Sequence, residues 1–330
     1  MKMDSLIFAF DSVAPIIFTV AIGYILKRVG FISGDFVKMA NRLVFRVLLP
    51  VMLFLNVYKI ESLSVMSAGY ALYTVLSVLA IFVLALPFTI LITKREDRRG
   101  PLLQTAFRSN YSLIGIPLAA SLFGDEGAQV ASLLSAVVIP VFNFLAVVAL
   151  SIFSKQESSG RLARVGKGIL KNPLIWGILV GVGALGIRAL FVHLGVSFRL
   201  SDVGSVYKVI DYLSRSATPL ALLCLGAQFE FSAISYLRRE ILAGVIMRCL
   251  AVPLVGVGFA YLVFGDSFSG AQFAALVAVF CTPVAVSSVP MTQEMGSDAE
   301  LAGQMVVFTT LFSALTVFIV SFLLKVAGIF

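Results

Sequence analysis

The strongest constraint on this chain is a series of apolar runs, each about as long as the hydrocarbon core of a bilayer is thick. At about 20 residues per helical span, ten fit, roughly at residues 6–27, 36–58, 66–93, 101–123, 127–153, 172–193, 205–228, 240–264, 269–293 and 299–325. Hydrophobic residues make up 60% of the chain and charged ones 13%. The mean hydropathy is +1.03, which no soluble domain of this length approaches. The run from Leu6 to Leu26 is too long for the apolar part of a signal peptide and reads as a retained first span. The expected fold class is an all-α polytopic membrane protein with ten transmembrane helices.

The net charge of +8 could point to nucleic acid, but the positions of the charges argue for membrane topology instead. Lys27, Arg28 and Lys38, then Lys94, Arg95, Arg98 and Arg99, then Lys155, Arg161, Arg164, Lys167 and Lys171, then Arg238 and Arg239 fall in odd-numbered connections. Even-numbered ones hold little beyond Lys59, Arg199, Asp125, Glu126 and Asp266. Cytoplasmic loops carry the lysine and arginine excess, so both termini are expected outside, in a plasma (inner) membrane. The longest connection, residues 154–171, separates five spans in 1–153 from five in 172–330. An odd number per half makes the second half inverted relative to the first. Internal similarity supports the division: Arg46-Val-Leu-Leu-Pro50 matches Arg215-Ser-Ala-Thr-Pro219 at an offset of 169 residues, and a second pair of landmarks matches at 172 to 173.

That second pair is the chemically informative one. The fourth run contains Asn110-Tyr-Ser-Leu-Ile-Gly-Ile-Pro117 and ends at Gly124; the ninth contains Cys281-Thr-Pro-Val-Ala-Val-Ser-Ser-Val-Pro290 and ends at Gly296. Pro117, Pro283 and Pro290 remove backbone donors, and Gly115 loosens the turn, so helices four and nine are expected to be broken. Paired interruptions in inverted repeats mark the binding site of many transporters. Each would present a half-helix N-terminus with free N–H groups and partial positive charge, suited to a carboxylate. Asn110, Ser112, Thr282, Ser287 and Ser288 supply neutral donors and acceptors nearby, and Asn143, after Pro140, could line the same cavity. Kinked structural helices with serines bonded to their own backbone would give a similar pattern.

Arg46 and Arg215 lie near mid-membrane in their spans, where an arginine needs protein or water around it. They read either as a positive field for an anionic substrate or as members of an ion-pair network with Asp211 and Asp11. Arg248 sits nearer the end of its span and reads as a snorkelling side chain. Cys224, Cys249 and Cys281 are scattered in apolar runs without metal spacing, and the single histidine, His193, sits at a span end. No metal site or nucleophile–base pair is expected, so an intramembrane enzyme is disfavoured.

With these residues in view, the chain resembles the auxin efflux carrier family, which includes bacterial malate-permease-like members and plant PIN-type exporters. The resemblance spans nearly the whole length and is sharpest in Asn110 through Gly124, in Asn172-Pro-Leu-Ile-Trp-Gly177, and in Pro283 through Gly296 followed by Glu300-Leu-Ala. It implies two inverted five-helix repeats with crossing broken helices four and nine. It also implies a scaffold of spans 1, 2, 6 and 7, which can form a homodimer interface, and a moving element of spans 3–5 and 8–10. The plant exporters carry asparagine at both crossovers; here Pro283 beside Thr282 stands where the second would be, and the long hydrophilic loop is missing.

The expectation is therefore a secondary transporter of a small organic anion, a mono- or dicarboxylate such as malate, working by alternating access at a midplane crossover. Asn110, Ser112, Gly115, Pro117, Thr282, Pro283, Ser287, Ser288, Pro290 and Asn143 are the expected substrate-binding set. Arg46, Arg215, Asp11 and Asp211 are candidates for electrostatics or coupling. No cofactor is expected beyond an H+ or Na+ coupling ion, and no partner beyond the anion, lipid and a second copy. A sodium-coupled symporter, a cation/proton antiporter of similar fold and an anion-binding membrane sensor are the alternatives.

Overall fold

The computed structural model describes residues 2–59, 67–153 and 170–330, with side chains from residue 14 onward. Most of the 154–171 connection and the Asp11 side chain therefore lie outside the described residues. The helices are α1 (Lys2–Arg28), α2 (Gly34–Tyr58), α3 (Ala68–Ile92), α4 (Glu96–Phe107), α5 (Tyr111–Ile152), α6 (Pro173–His193), α7 (Gly204–Gln228), α8 (Ala233–Phe264), α9 (Gly270–Phe280), α10 (Ser288–Glu294) and α11 (Ala299–Val326). Among the described residues there is no β-sheet, only one isolated bridge. Six helices among the described residues, namely α2, α3, α5, α6, α8 and α11, are long and apolar enough to cross a membrane.

The helices are not regular throughout, and proline explains where. In α2 the turn Val44–Leu48, just ahead of Pro50, widens to a π-helix; in α8, Met247–Ala251 and Leu254–Gly258 do so on either side of Pro253. The widened turns absorb the hydrogen bond that proline cannot donate. The long α5 bends at Phe123 and Gly124, where Gly124 has φ 60° and ψ −150°, a conformation that side chains resist. Gly296, after α10, has φ 72°. These are the two glycines that the repeated landmarks align.

Packing sorts the helices into two groups. α1 lies against α7, and the second half of α2 against α6 and α7. These seams close through glycine: a Cβ on Gly226 would strike the Val20 carbonyl, and one on Gly177 the backbone of Pro50. Small residues at close helix crossings let dispersion and backbone contacts replace a hydrophobic drive that lipid does not supply. The other group joins α5 to α9, α3 to α4, and α8 to α11. α9 is its centre, with Ala274 through Val279 wholly buried.

An ionic cluster ties the second group at one end. Arg98 of α4 meets Glu240 of α8 at 3.0 Å and Asp298, the N-cap of α11, at 3.1 Å. Arg98 and Glu240 are both buried. Arg98→Ala would leave two acidic groups without this partner, Glu240 buried among them. The expected cost is about 3–5 kcal/mol, seen as a fall in the apparent melting temperature of the detergent-solubilised protein; a shift equivalent to less than ~1 kcal/mol would show the cluster to be idle.

Candidate functional site

The two interruptions lie where α4 gives way to α5 and where α9 gives way to α10, and they pair with each other. Ser109 and Val284 form the antiparallel bridge. The Asn110 N–H donates to the Pro283 carbonyl at 2.7 Å, and the Ala285 N–H to the Arg108 carbonyl at 3.3 Å. The Val284 N–H donates to Thr309 Oγ1 at 3.2 Å. Unwound backbone at membrane depth persists only when protein or water satisfies it, and here each break satisfies the other.

The ends of the preceding half-helices converge on Arg248. Its guanidinium donates to the carbonyls of Thr282 (2.8 Å), Ala106 (3.0 Å) and Val279 (3.0 Å), taking carbonyls from both α4 and the α9 end. Arg248 is 1% exposed, so the expectation that it snorkels to the interface is incorrect. Last-turn carbonyls carry partial negative charge and have no acceptor-satisfying N–H of their own, which is why a buried cation is stable there.

In front of the paired breaks is a cavity of about 730 Å³. Its walls come from both helix groups: Pro15, Ile16 and Thr19 of α1, Leu49 to Asn56 of α2, Ser214 to Leu222 of α7, and on the other side residues 108–113, Pro117, Ile139, Phe142, Asn143 and Ala285 to Ser287. Asn110, Ser112, Pro117, Asn143, Ser287 and Arg215 of the expected set line it. Gly115, Thr282, Pro283, Ser288 and Pro290 are buried behind that wall. Gly115 serves a crossing instead, since a Cβ there would lie 3.1 Å from the Ala278 carbonyl. The Thr282 hydroxyl donates to the Ala278 carbonyl at 2.7 Å, and Pro283 supplies the carbonyl that Asn110 uses.

The sequence reading missed Arg108. It is 2% exposed and lines the cavity. It donates to Gln104 Oε1 (2.8 Å), Met291 Sδ (3.1 Å), Asn143 Oδ1 (2.9 Å) and Ser287 Oγ (2.9 Å). Every one of these partners is neutral, and among the described residues no carboxylate pairs with it. Nearby, the Asn110 amide Nδ2 is buried without a hydrogen-bond partner. A signal for Arg108 exists in the sequence: it is a cation inside an apolar run, and positions 104, 105, 111 and 112, its helical neighbours, hold no acid.

Of the other expected charges, Arg215 lines the cavity, and Arg46 and Asp211 do not. Arg215, whose side chain is 77% exposed, meets Asp211 at 2.6 Å, and Asp211 also meets Lys59 at 3.7 Å. Arg46 meets Glu294, at 3.5 Å, and Arg42 meets the same carboxylate at 3.8 Å. Beside them, Asn41 Nδ2 donates to Gln293 Oε1 (2.7 Å) and Gln228 Oε1 (3.0 Å), and Gln228 Nε2 donates to Gln293 Oε1 (2.8 Å). This polar latch joins the start of α2 and the end of α7 to α10, whereas the cavity uses the second half of α2 and the middle of α7. The cavity and the latch therefore lie at different levels of the space between the helix groups.

A family model described as a membrane transport protein matches residues 8–321. The chain belongs to this family, the auxin efflux carrier family. Among curated proteins it is 25% identical to an uncharacterized transporter of Methanothermobacter thermautotrophicus, over 92% of this chain and 94% of that one. It is 24% identical to an uncharacterized transporter of Methanocaldococcus jannaschii, over 93% and 96%. Both likenesses run through the crossover as well as the flanking helices.

Replacing Arg248 by methionine keeps the volume and removes all three donors. Buried carbonyls left unsatisfied cost about 1–3 kcal/mol each, so Arg248→Met is expected to lower the melting temperature and to raise amide exchange at residues 108–110 and 281–285. Unchanged exchange there would remove Arg248 from its stapling role.

Proposed function

We propose that this protein is a secondary carrier that moves a small organic anion, a mono- or dicarboxylate such as malate, by alternating access at the paired helix breaks. The observation that carries the reading is the cavity itself: it is bounded by both helix groups, ends on the crossover, and is latched at the opposite end. In this reading α4 with α5 as far as Phe123 is a fourth span, the rest of α5 a fifth, and α9 with α10 a ninth, giving ten spans in two inverted repeats. α1, α2, α6 and α7 are the scaffold, and the remaining helices carry the crossover past it. The latch end, next to Lys27, Arg28 and Lys38, faces the cytoplasm, and both termini face outside. Opening requires Gln293 and Glu294 to leave Asn41, Gln228, Arg42 and Arg46.

Flux into proteoliposomes tests this. A screen of labelled malate, succinate, pyruvate and indole-3-acetate under imposed pH, sodium and voltage gradients is expected to find saturable flux of at least one acid, and the gradient dependence identifies H+, Na+ or no coupling. Asn110→Ala is expected to reduce sub-saturating flux at least tenfold, ~1.4 kcal/mol; unchanged flux removes Asn110 from the site. Gln228→Cys with Gln293→Cys, cross-linked across the latch, is expected to stop flux until the link is cleaved. Transport that continues through the cross-link would overturn alternating access at this latch.

A further inference from the structure

Granted the carrier reading above, we infer that Arg108 is the group that pairs with the substrate's charge, and that the site desolvates one carboxylate and no second one. The guanidinium has five N–H donors. Four are used on Gln104, Met291, Asn143 and Ser287, and the fifth, on Nε, makes no hydrogen bond among the described residues. A carboxylate approaching from the cavity takes the Nε–H together with the N–H now directed at Ser287, whose hydroxyl is free to rotate. Two parallel N–H···O bonds of this kind are the strongest recognition that arginine offers a carboxylate. The unpartnered Asn110 amide Nδ2 is a further donor at the same wall.

The charge count follows from burial. A buried ion is costly unless paired, and the empty protein holds Arg108 with neutral acceptors alone. Binding a monoanion cancels that charge. A dianion would carry its second carboxylate to walls that are apolar at Ile16, Leu53, Ile139, Phe142 and Leu222 and polar but uncharged at Thr19, Asn56, Ser112, Ser214 and Thr218, or out to Arg215, which is exposed and already held by Asp211 at 2.6 Å. The deep site therefore recognises one carboxylate on an otherwise uncharged body. Within the malate-to-monocarboxylate range proposed above, it selects the monocarboxylate end.

The experiment uses the full-length protein in proteoliposomes, with the acid found by the flux screen as reporter. The competitors are malate and 2-hydroxybutyrate, which is malate with a methyl group in place of its second carboxylate. 2-Hydroxybutyrate is expected to inhibit at least tenfold better than malate. Arg108→Gln is expected to lose at least tenfold in sub-saturating flux, with Arg108→Lys intermediate. Because Arg108→Gln could also misfold, Asn143→Asp serves as the second variant. It is nearly isosteric, places a carboxylate about where Asn143 Oδ1 accepts from Arg108 at 2.9 Å, and so fills the charge from within. The new ion pair is expected to offset the Nδ2–H bond to the Ile139 carbonyl (2.8 Å) that the change removes, so that the melting temperature holds while flux falls at least tenfold. Stronger inhibition by malate, or normal flux in either Asn143→Asp or Arg108→Gln, overturns the inference while wild-type flux leaves the carrier standing. A screen that finds no transported acid removes the carrier reading, and this inference goes with it.

Discussion

Backbone that leaves the helix inside hydrocarbon must find its hydrogen bonds within the protein, and the rest of this structure is arranged around that requirement. The two interruptions meet it by pairing with each other through Asn110, Pro283, Arg108 and Ala285. Thr309 takes one more N–H, and Arg248 takes three carbonyls. α9 is buried because it brings one break to the other, and Gly115 is needed because α5 has to pass close to Ala278. With the backbone satisfied from behind, the side chains in front are free to face a cavity.

The cations divide by how their charge is answered. Arg98 is answered by acids, Arg248 by carbonyls, Arg46 and Arg42 by Glu294, and Arg215 by Asp211. Arg108, like Arg248, has only neutral partners, but unlike Arg248 it lines the cavity beside the paired breaks. Structural cations are those whose partners come with the fold. Under the carrier reading, Arg108 is the cation whose charged partner arrives with the substrate.

Much of the fold was legible from residue order. The apolar runs, the interrupted fourth and ninth segments, and the glycines that end them correspond to Gly124 and Gly296 with their positive φ. Of the residues expected at the site, Asn110, Ser112, Pro117, Asn143 and Ser287 line one cavity. What failed were judgements that depend on who stands opposite. Arg248 looked peripheral because depth along a helix says nothing of neighbours, and those neighbours are carbonyls from two other helices. Asp211 does answer Arg215, but Arg46 is met by Glu294, because the end of α10 is folded back onto the start of α2. Thr282 and Ser288 had the right chemistry on the wrong side of a paired backbone.

The pairing of the two breaks also has a bearing on how the chain is made. Asn110 needs Pro283, and Ala106 needs Arg248, yet these partners are translated far later than the groups they serve. At ~5–20 residues per second, the fourth segment exists for roughly ten to thirty seconds before the ninth can reach it. During that interval its unwound stretch lacks the hydrogen bonds that it has in the finished protein. The two breaks therefore cannot complete each other's hydrogen bonds until the ninth segment has been made.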